Sequence, residues 1–329
     1  SALGAGRVKT LKIGLVDLDT SHPAAWLPIL REMGQDVVGV YDGGTVWPDG
    51  YAAQFAERFG VPRVFHTLDE AADAVDLAIV HATNWDLHIP RAEPFVKAGK
   101  AVLIDKPIVG NLRDAYTLLD WERQGAVISG GSSARFAYQV RDYLAQDVET
   151  RGEPHVAFVA NGVDEYNYAI HAYAALLAIM GTGVQGVRAL GMAGGQWQVE
   201  VLWPNGRRGV LSVGHTERHL PCEALVVSGS SVSQFTVGGT GGYNALLETL
   251  LPYYAGEAPA PYSVRDLIEP ELVAIAARQS LRSGGQLRGD SAERIDRQRH
   301  PAIGSAQHGQ TGFHRAHRGV MGVLGRANR

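Results

Sequence analysis

From Leu11 to Ser129 the sequence repeats one unit, a short apolar run followed by a longer stretch with helical spacing, and this alternation restricts the fold more than any other feature. The apolar runs are Leu11–Val16, Val37–Tyr41, the short Val64–Phe65, Leu77–His81, Ala101–Ile104 and Val127–Ser129. Helical patterns lie between them, around Trp26, Leu27, Ile29 and Leu30, then over Ala52–Phe59, Leu68–Ala74, Leu87–Ala98 and Leu112–Arg123. Strands joined through helices return in the same direction, and the resulting parallel sheet must be covered on both faces. A doubly wound α/β domain over residues 11–134 is expected, preceded by a flexible arm over 1–10 that shows no basic-then-apolar leader.

After Arg135 the pattern changes. Val156–Ala160, Val187–Gly191, Gln198–Trp203, Gly209–Gly214, Ala224–Ser228 and Ser233–Val237 are alternating or β-branched runs separated by turn residues, which predicts an open, mainly antiparallel sheet over 135–287. Helical patterns at Ala169–Met180, Tyr243–Tyr254 and Arg265–Ser283 are expected to cover one face of that sheet in an α+β arrangement. The other face then needs a partner, so a homo-oligomer, dimer or tetramer, is expected through it. Residues 288–329 form an Arg- and His-rich tail with little periodic apolar character. Its histidines, His300, His308, His314 and His317, match no ligand spacing, and no metal site is expected.

At 329 residues the chain exceeds what one core usually organises, so two domains are the natural division. No apolar run is long enough to cross a bilayer, and a formal net charge of −4 provides no basic field for nucleic acid. A small-molecule partner is left as the default. The single cysteine, Cys222, cannot form an intramolecular disulfide and reads as a small apolar filler beside a strand, which suits a reducing cytoplasm.

In a Rossmann unit the turn after the first strand cradles a dinucleotide pyrophosphate on glycines and a helix N-terminus. Here that turn contains Asp17, Asp19, Thr20, Ser21 and His22, and the three positions usually glycine fall on Asp17, Asp19 and His22. Two carboxylates beside a pyrophosphate would repel it, so either the cofactor sits differently or it is absent. Equally, Thr20 or Ser21 can cap the following helix, with Asp19 complementing its dipole, and no ligand is then required.

The second strand ends at Asp42, placed to accept hydrogen bonds from an adenosine ribose, and no Arg follows to pair with a 2′-phosphate. That pattern favours NAD over NADP. A solvated Asp opening a turn is the plain alternative. Further candidates for the cofactor crevice stand at the next strand ends, Thr83 and Asn84 with His88 after the fourth, and Asp105, Lys106 and Pro107 after the fifth. A lysine in that position is rarely there for packing.

The segment AEPFVKAGKAVLIDKPIV at Ala92–Val109, with ATNWDLH before it and SSARF at Ser132–Phe136 after it, resembles the Gfo/Idh/MocA oxidoreductases. The likeness runs in order and spacing from about Leu11 to Leu287. It implies a Rossmann domain followed by an α/β domain on an open sheet, with Lys106 as the catalytic lysine of a Glu-Lys-Pro motif in which Asp105 replaces the glutamate. It also implies that His171 is the proton acceptor of an Asp-x-Gly-x-His segment whose aspartate is here Asn167. Asn can orient an imidazole but cannot stabilise its cation as a carboxylate does, so Asp164 or Tyr168 is a candidate substitute.

Removing hydride from a carbinol carbon needs a base for the hydroxyl proton and a cation for the developing alkoxide, roles that suit His171 and Lys106. Tyr168 and Arg135 join them as candidate substrate contacts. The aromatic hydroxyls of Tyr166, Tyr168 and Tyr173 suit a polyol surface or simply the core, and Trp85 and Trp197 could stack a sugar ring. The expectation is an NAD-dependent oxidoreductase acting on a sugar, cyclitol or related polyol. Two alternatives stand beside it, a catalytically degenerate sugar- or nucleotide-binding module without a cofactor cycle, and NAD-assisted glycoside cleavage.

Overall fold

The computed structural model describes residues 8–239 and 241–289; the expected tail and its four histidines lie outside the described residues, as do residues 1–7 of the arm. The first sheet is built from β1 (Lys12–Val16), β2 (Asp36–Tyr41), β3 (Leu77–Val80), β4 (Ala101–Ile104) and β5 (Ile128–Gly130). All its pairings are parallel, in the order β2-β1-β3-β4-β5. The expected short run at Val64–Phe65 contributes one parallel bridge, Val64 to Val40, at the β2 edge. Helices α1 (His22–Glu32), α2 (Tyr51–Phe59), α3 (Leu68–Ala74), α4 (His88–Lys97) and α5 (Leu112–Arg123) connect the strands. Every residue of β3 and β4 is buried, as a sheet covered on both faces requires.

From β1 the chain steps outward to β2 and then returns to the other side of β1 as β3. The turns after β1, β3 and β4 therefore open on one crevice, where open parallel sheets bind ligands.

The next elements are α6 (Tyr138–Ala145), α7 (Val148–Arg151), β6 (Pro154–Val163), α8 (Ala169–Met180), β7 (Gly186–Ala193), β8 (Gln196–Leu202), β9 (Arg208–His215), β10 (Cys222–Ser228) and β11 (Val232–Val237). They are followed by α9 (Gly242–Tyr254), α10 (Val264–Leu267), α11 (Glu269–Arg282) and β12 (Arg288–Gly289). The second sheet runs β11-β10-β6-β9-β8-β7-β12 and is antiparallel except where β6 pairs with β9. Helices α8 and α11 pack on one face, burying Ile170, Tyr173, Leu176, Leu177 and Val273 against Val159, Val199, Val201, Leu211 and Val226. The opposite face carries exposed Phe158, Leu190, Met192, Leu225 and Val232. Cys222 is buried on β10, and burial pushes its thiol up to about 12.

Two expectations need correction. Helix α9 does not cover the second sheet; its Leu246, Leu247, Leu250, Leu251 and Tyr254 join the core of the first domain with Trp26, Leu27 and Leu103, and the Tyr254 hydroxyl donates to Val102 O at 3.2 Å. An apolar helical stripe identifies a buried face but not its partner. The single helix expected over Arg265–Ser283 is two, α10 and α11, because Pro270 is tolerated only in the first turn of a new helix. Among the described residues, no helix is long and apolar enough to cross a membrane.

Candidate active site

The turn after β1 resolves the problem of its carboxylates. Asp17 takes the left-handed conformation, φ 61°, that the usual glycine would adopt, and its side chain is fully buried. Its Oδ2 accepts from Arg91 Nε at 2.8 Å and its Oδ1 from the Gly43 N–H at 2.8 Å. The Arg91 guanidinium also lies over the Tyr41 ring, and a Cβ at Gly43 would strike it. Asp19 turns the same way, with Oδ2 accepting the Thr83 N–H at 2.9 Å and Oδ1 buried without a partner. Burial, helped by the charges of Asp17 and Asp42, pushes Asp19 up to about 7. Both acidic side chains are buried on protein N–H groups, so they do not fill the space expected for phosphates. Both are interior groups of the turn, which corrects their assignment as cofactor contacts.

Asp42 accepts from the Leu18 N–H at 3.2 Å and remains partly exposed at the end of β2; burial raises its pKa. The Thr20 hydroxyl accepts the His22 N–H at 3.1 Å, and Ser21 precedes α1 without a side-chain cap. The expected capping by Ser21 is therefore not made.

At the ends of β3 and β4, Asp105 gathers three donors. His22 Nδ1 lies 2.6 Å and His81 Nδ1 2.8 Å from its Oδ2, and the Lys106 N–H donates to Oδ1 at 2.7 Å. Burial opposes ionisation, but His22 and the two imidazole hydrogen bonds win and hold the carboxyl well below its usual range. His22 further stacks on Trp26 and meets Tyr243 of α9 edge-on. His22, His81 and Asp105 also form a group of three potential metal ligands. Their separations suit hydrogen bonds, being shorter than the roughly 3.3 Å between donors set tetrahedrally about 2.0–2.1 Å from zinc.

Lys106, next along the chain in a cis peptide with Pro107, crosses to the second domain. Its Nζ donates to Asn167 Oδ1 at 3.0 Å and to Asn167 O at 3.1 Å, and lies 5.1 Å from the centre of the Tyr168 ring. Tyr168 in turn meets the His171 ring edge-on at 6.2 Å. His171 is held from the other side by Ser132, Nδ1 to Oγ at 2.7 Å. Burial and the nearby Lys106 charge press the imidazole well below its usual range, and burial lowers Lys106 as well. The amine and the imidazole thus both approach Tyr168, and burial disfavours the charged form of each.

The remaining expected residues are placed differently. His88 is fully buried, its ring nitrogens 3.1 Å from Ile108 O and 2.8 Å from Ala82 O, so it clamps two loops rather than facing a cofactor. Arg135 donates to Asp266 O and Leu267 O and stacks on Tyr262, which occupies the cation expected at substrate. Asp164 accepts the Tyr166 and Tyr168 N–H groups and so shapes the loop before α8 rather than replacing the missing aspartate. Asn84 caps a short 3₁₀ turn through Asp86 N, and Thr83 is largely buried above Asp19. Tyr166 and Tyr173 are core residues; Trp85 packs on Tyr166, and Trp197 lies partly buried on the second sheet. Sequence reasoning missed His81, Arg91, Ser132 and Tyr243. Of these, His81 was visible as a polar end to an apolar run and Ser132 as the first residue of the SSARF segment, though neither was given a role.

The turn is compatible with a dinucleotide: Ser21 makes no side-chain cap on α1, the carboxylates of Asp17 and Asp19 are buried on protein N–H groups, and Asp42 is partly exposed at the end of β2.

Residues 11–130 match the Gfo/Idh/MocA model, an oxidoreductase family with an NAD-binding Rossmann fold. A protein proposed to be the UDP-kanosamine synthase oxidoreductase subunit of Amycolatopsis mediterranei is 30% identical over 128 residues, 39% of this chain and 34% of that protein. The match thus spans about a third of that relative's length. Among solved structures, a probable dehydrogenase from Thermotoga maritima has a TM-score of 0.74 at 16% identity, covering 87% of this chain and 100% of the other. The scyllo-inositol dehydrogenase of Lactobacillus casei with bound NAD(H) and scyllo-inositol has a TM-score of 0.72 at 13% identity, covering 85% and 99%. These likenesses concern the two-domain fold.

Proposed function

We propose that this chain, whose N-terminal domain belongs to the Gfo/Idh/MocA oxidoreductase family with its NAD-binding Rossmann fold, transfers hydride between a nicotinamide dinucleotide and a sugar, cyclitol or related polyol. The observation that carries the reading is the convergence of Lys106, from the end of β4, with Asn167, Tyr168 and His171, from the start of α8. Residues 11–134 serve as the dinucleotide domain, completed by α9, and residues 135–287 supply the substrate side. The bound nicotinamide supplies the hydride acceptor or donor.

In this reading Thr20, Ser21 and His22 would hold the pyrophosphate at the α1 N-terminus and Asp42 would take the adenosine ribose, with Thr83, Asn84 and Pro107 beside them at the next strand ends. NAD is favoured over NADP because Arg91, the cation beside Asp42, is committed to Asp17. In the oxidative direction His171 Nε2 accepts the substrate hydroxyl proton, while the Lys106 ammonium stabilises the developing alkoxide. Ser132 favours this by engaging Nδ1, and Tyr168 holds the cation in place through its ring face.

Incubating the purified protein with NAD+ and myo-inositol, scyllo-inositol, glucose or a UDP-sugar, with NADH followed by absorbance and NAD+ and NADP+ binding by thermal shift, tests the reading. NADH formation with one class supports it. Binding without net NADH, but with glycoside cleavage, would move the chain to the third reading above. Neither binding nor turnover leaves only the degenerate module.

The exposed apolar face of the second sheet is covered by a second copy of the chain, on the argument that Phe158, Leu190, Met192, Leu225 and Val232 are large apolar groups on one element. Light scattering of the protein and of Phe158→Glu/Met192→Glu checks this; a wild-type monomer would sink it. With its one thiol buried and its dinucleotide chemistry, the protein suits the cytoplasm.

A further inference from the structure

Behind His171 lies a small cavity lined by Gly130, Ser132, Arg135, Leu267, Pro270 and Glu271, with room for about one water molecule. Two of its walls carry buried polar atoms with no protein partner, Nε and an Nη of Arg135 and Oε2 of Glu271. Both residues are almost fully buried. Glu271 Oε1 accepts the Ile108 N–H at 2.9 Å, so only Oε2 is free for the cavity. A space of this size and polarity suits one bound water, which needs two to four polar partners.

Ser132 joins this cavity to the candidate active site. Its Oγ has two lone pairs and one proton. One lone pair takes the Ala134 N–H at 3.1 Å. If His171 is to act as a base through Nε2, its Nδ1 must carry the proton, and at 2.7 Å that N–H fills the second lone pair of Ser132. The Ser132 O–H then has to donate elsewhere, and the cavity is the space that Ser132 itself lines.

We propose that Ser132, the cavity water and Glu271 form a buried proton relay through which the proton taken by His171 is passed to Glu271. This rests on the dehydrogenase reading above. In the oxidative direction the substrate O–H bond breaks and an N–H bond forms at His171 Nε2. The Nδ1–H proton moves to Ser132 Oγ as the Ser132 proton moves to the water, and a water proton bonds to Glu271 Oε2. The electron pair leaves separately with the hydride, so the relay itself involves no redox change; in the reductive direction every step reverses.

The energetics favour the same direction. A half-buried imidazole beside an ammonium is a poor place to leave a positive charge. Burial pushes Glu271 up to about 7, against the pull of the Ile108 N–H and of Arg135, so it holds a proton better than His171 does. The charged and titratable groups facing Glu271 are Arg135 across the cavity and the Tyr166 phenol, which Glu271 helps to push up. Arg135 keeps the ionised form tolerable between turnovers.

The test needs neither substrate nor dinucleotide. In the full-length protein labelled with 15N-histidine, His171 is assigned by the resonance lost in His171→Asn and followed from pH 5.5 to 8.5, a window chosen around neutrality. The relay predicts a neutral ring protonated at Nδ1, with a shift step centred near 7 that disappears in Glu271→Gln, a variant that keeps the Ile108 acceptor. Ser132→Ala, which needs no change at Glu271, should remove the same step. A ring protonated at Nε2, or a step that persists in either variant, overturns the relay. The NADH assay is scored separately, so loss of the relay and loss of the dehydrogenase reading are distinguishable.

Discussion

Lys106 Nζ donates to both the side-chain and the main-chain oxygen of Asn167, at 3.0 and 3.1 Å, so the end of a parallel strand and the approach to a helix in the second domain are tied by one ammonium group. Lys106→Met removes the cation while keeping the chain length. It should lower turnover by about 10²–10³-fold, in the range of lost oxyanion stabilisation, with dinucleotide affinity changed by less than about threefold. Parallel steady-state and thermal-shift measurements would show it.

Because burial lowers the Lys106 pKa, the ammonium is lost at a lower pH than for a free lysine, and activity should fall on the alkaline side as pH rises through that value. Asn167→Asp places a carboxylate beside Nζ. That charge raises the lysine pKa, so the alkaline limb of kcat/KM should move upward, and a limb that stays in place or moves down contradicts the argument.

His171 acts in its neutral form, and its pKa is pressed well below the imidazole range. In the oxidative direction the acid limb should therefore lie below about 6.5, the ordinary histidine value. His171→Asn should cost about 10²–10⁴-fold in kcat, the usual range for a lost general base.

Asp17 is fully buried against Arg91, whose side chain is itself mostly covered. Arg91→Met leaves that carboxylate without its cation and should destabilise the protein by about 3–5 kcal/mol in urea unfolding. Asp17→Gly/Arg91→Met removes both charges and suits the left-handed backbone at that position, so it should recover a substantial part of the loss.

Asp19 has a folded pKa of about 7 against an ordinary 3.8. A raised carboxyl favours the folded state below the unfolded pKa, and that contribution is lost as pH rises from about 4 to about 7. Asp19→Asn keeps an acceptor for the Thr83 N–H and should flatten this decline, gaining on the order of a few kcal/mol over the wild type at pH 8. Thermal melts of both proteins at pH 5 and pH 8 decide it, with equal slopes counting against the assignment. Part of the decline should survive in the variant, because Glu271 is raised in the same direction.

Local periodicity was sufficient for the parallel sheet, for most of the second sheet's strands and for placing Lys106 at a strand end, because period and turn residues are properties of neighbours in the chain. The family resemblance added His171. The direction of the Asp17 and Asp19 carboxylates was not legible, since it depends on Arg91 and Thr83, which are far away in sequence. His88 and Arg135 looked like ligand contacts by position, yet each found main-chain oxygens on another loop. The alternation of residues determined that this chain would build a crevice at the ends of parallel strands. Which side chains face that crevice, and which are neutralised behind it, was decided only by tertiary packing, because burial and pairing of charged groups depend on neighbours brought together from distant parts of the chain.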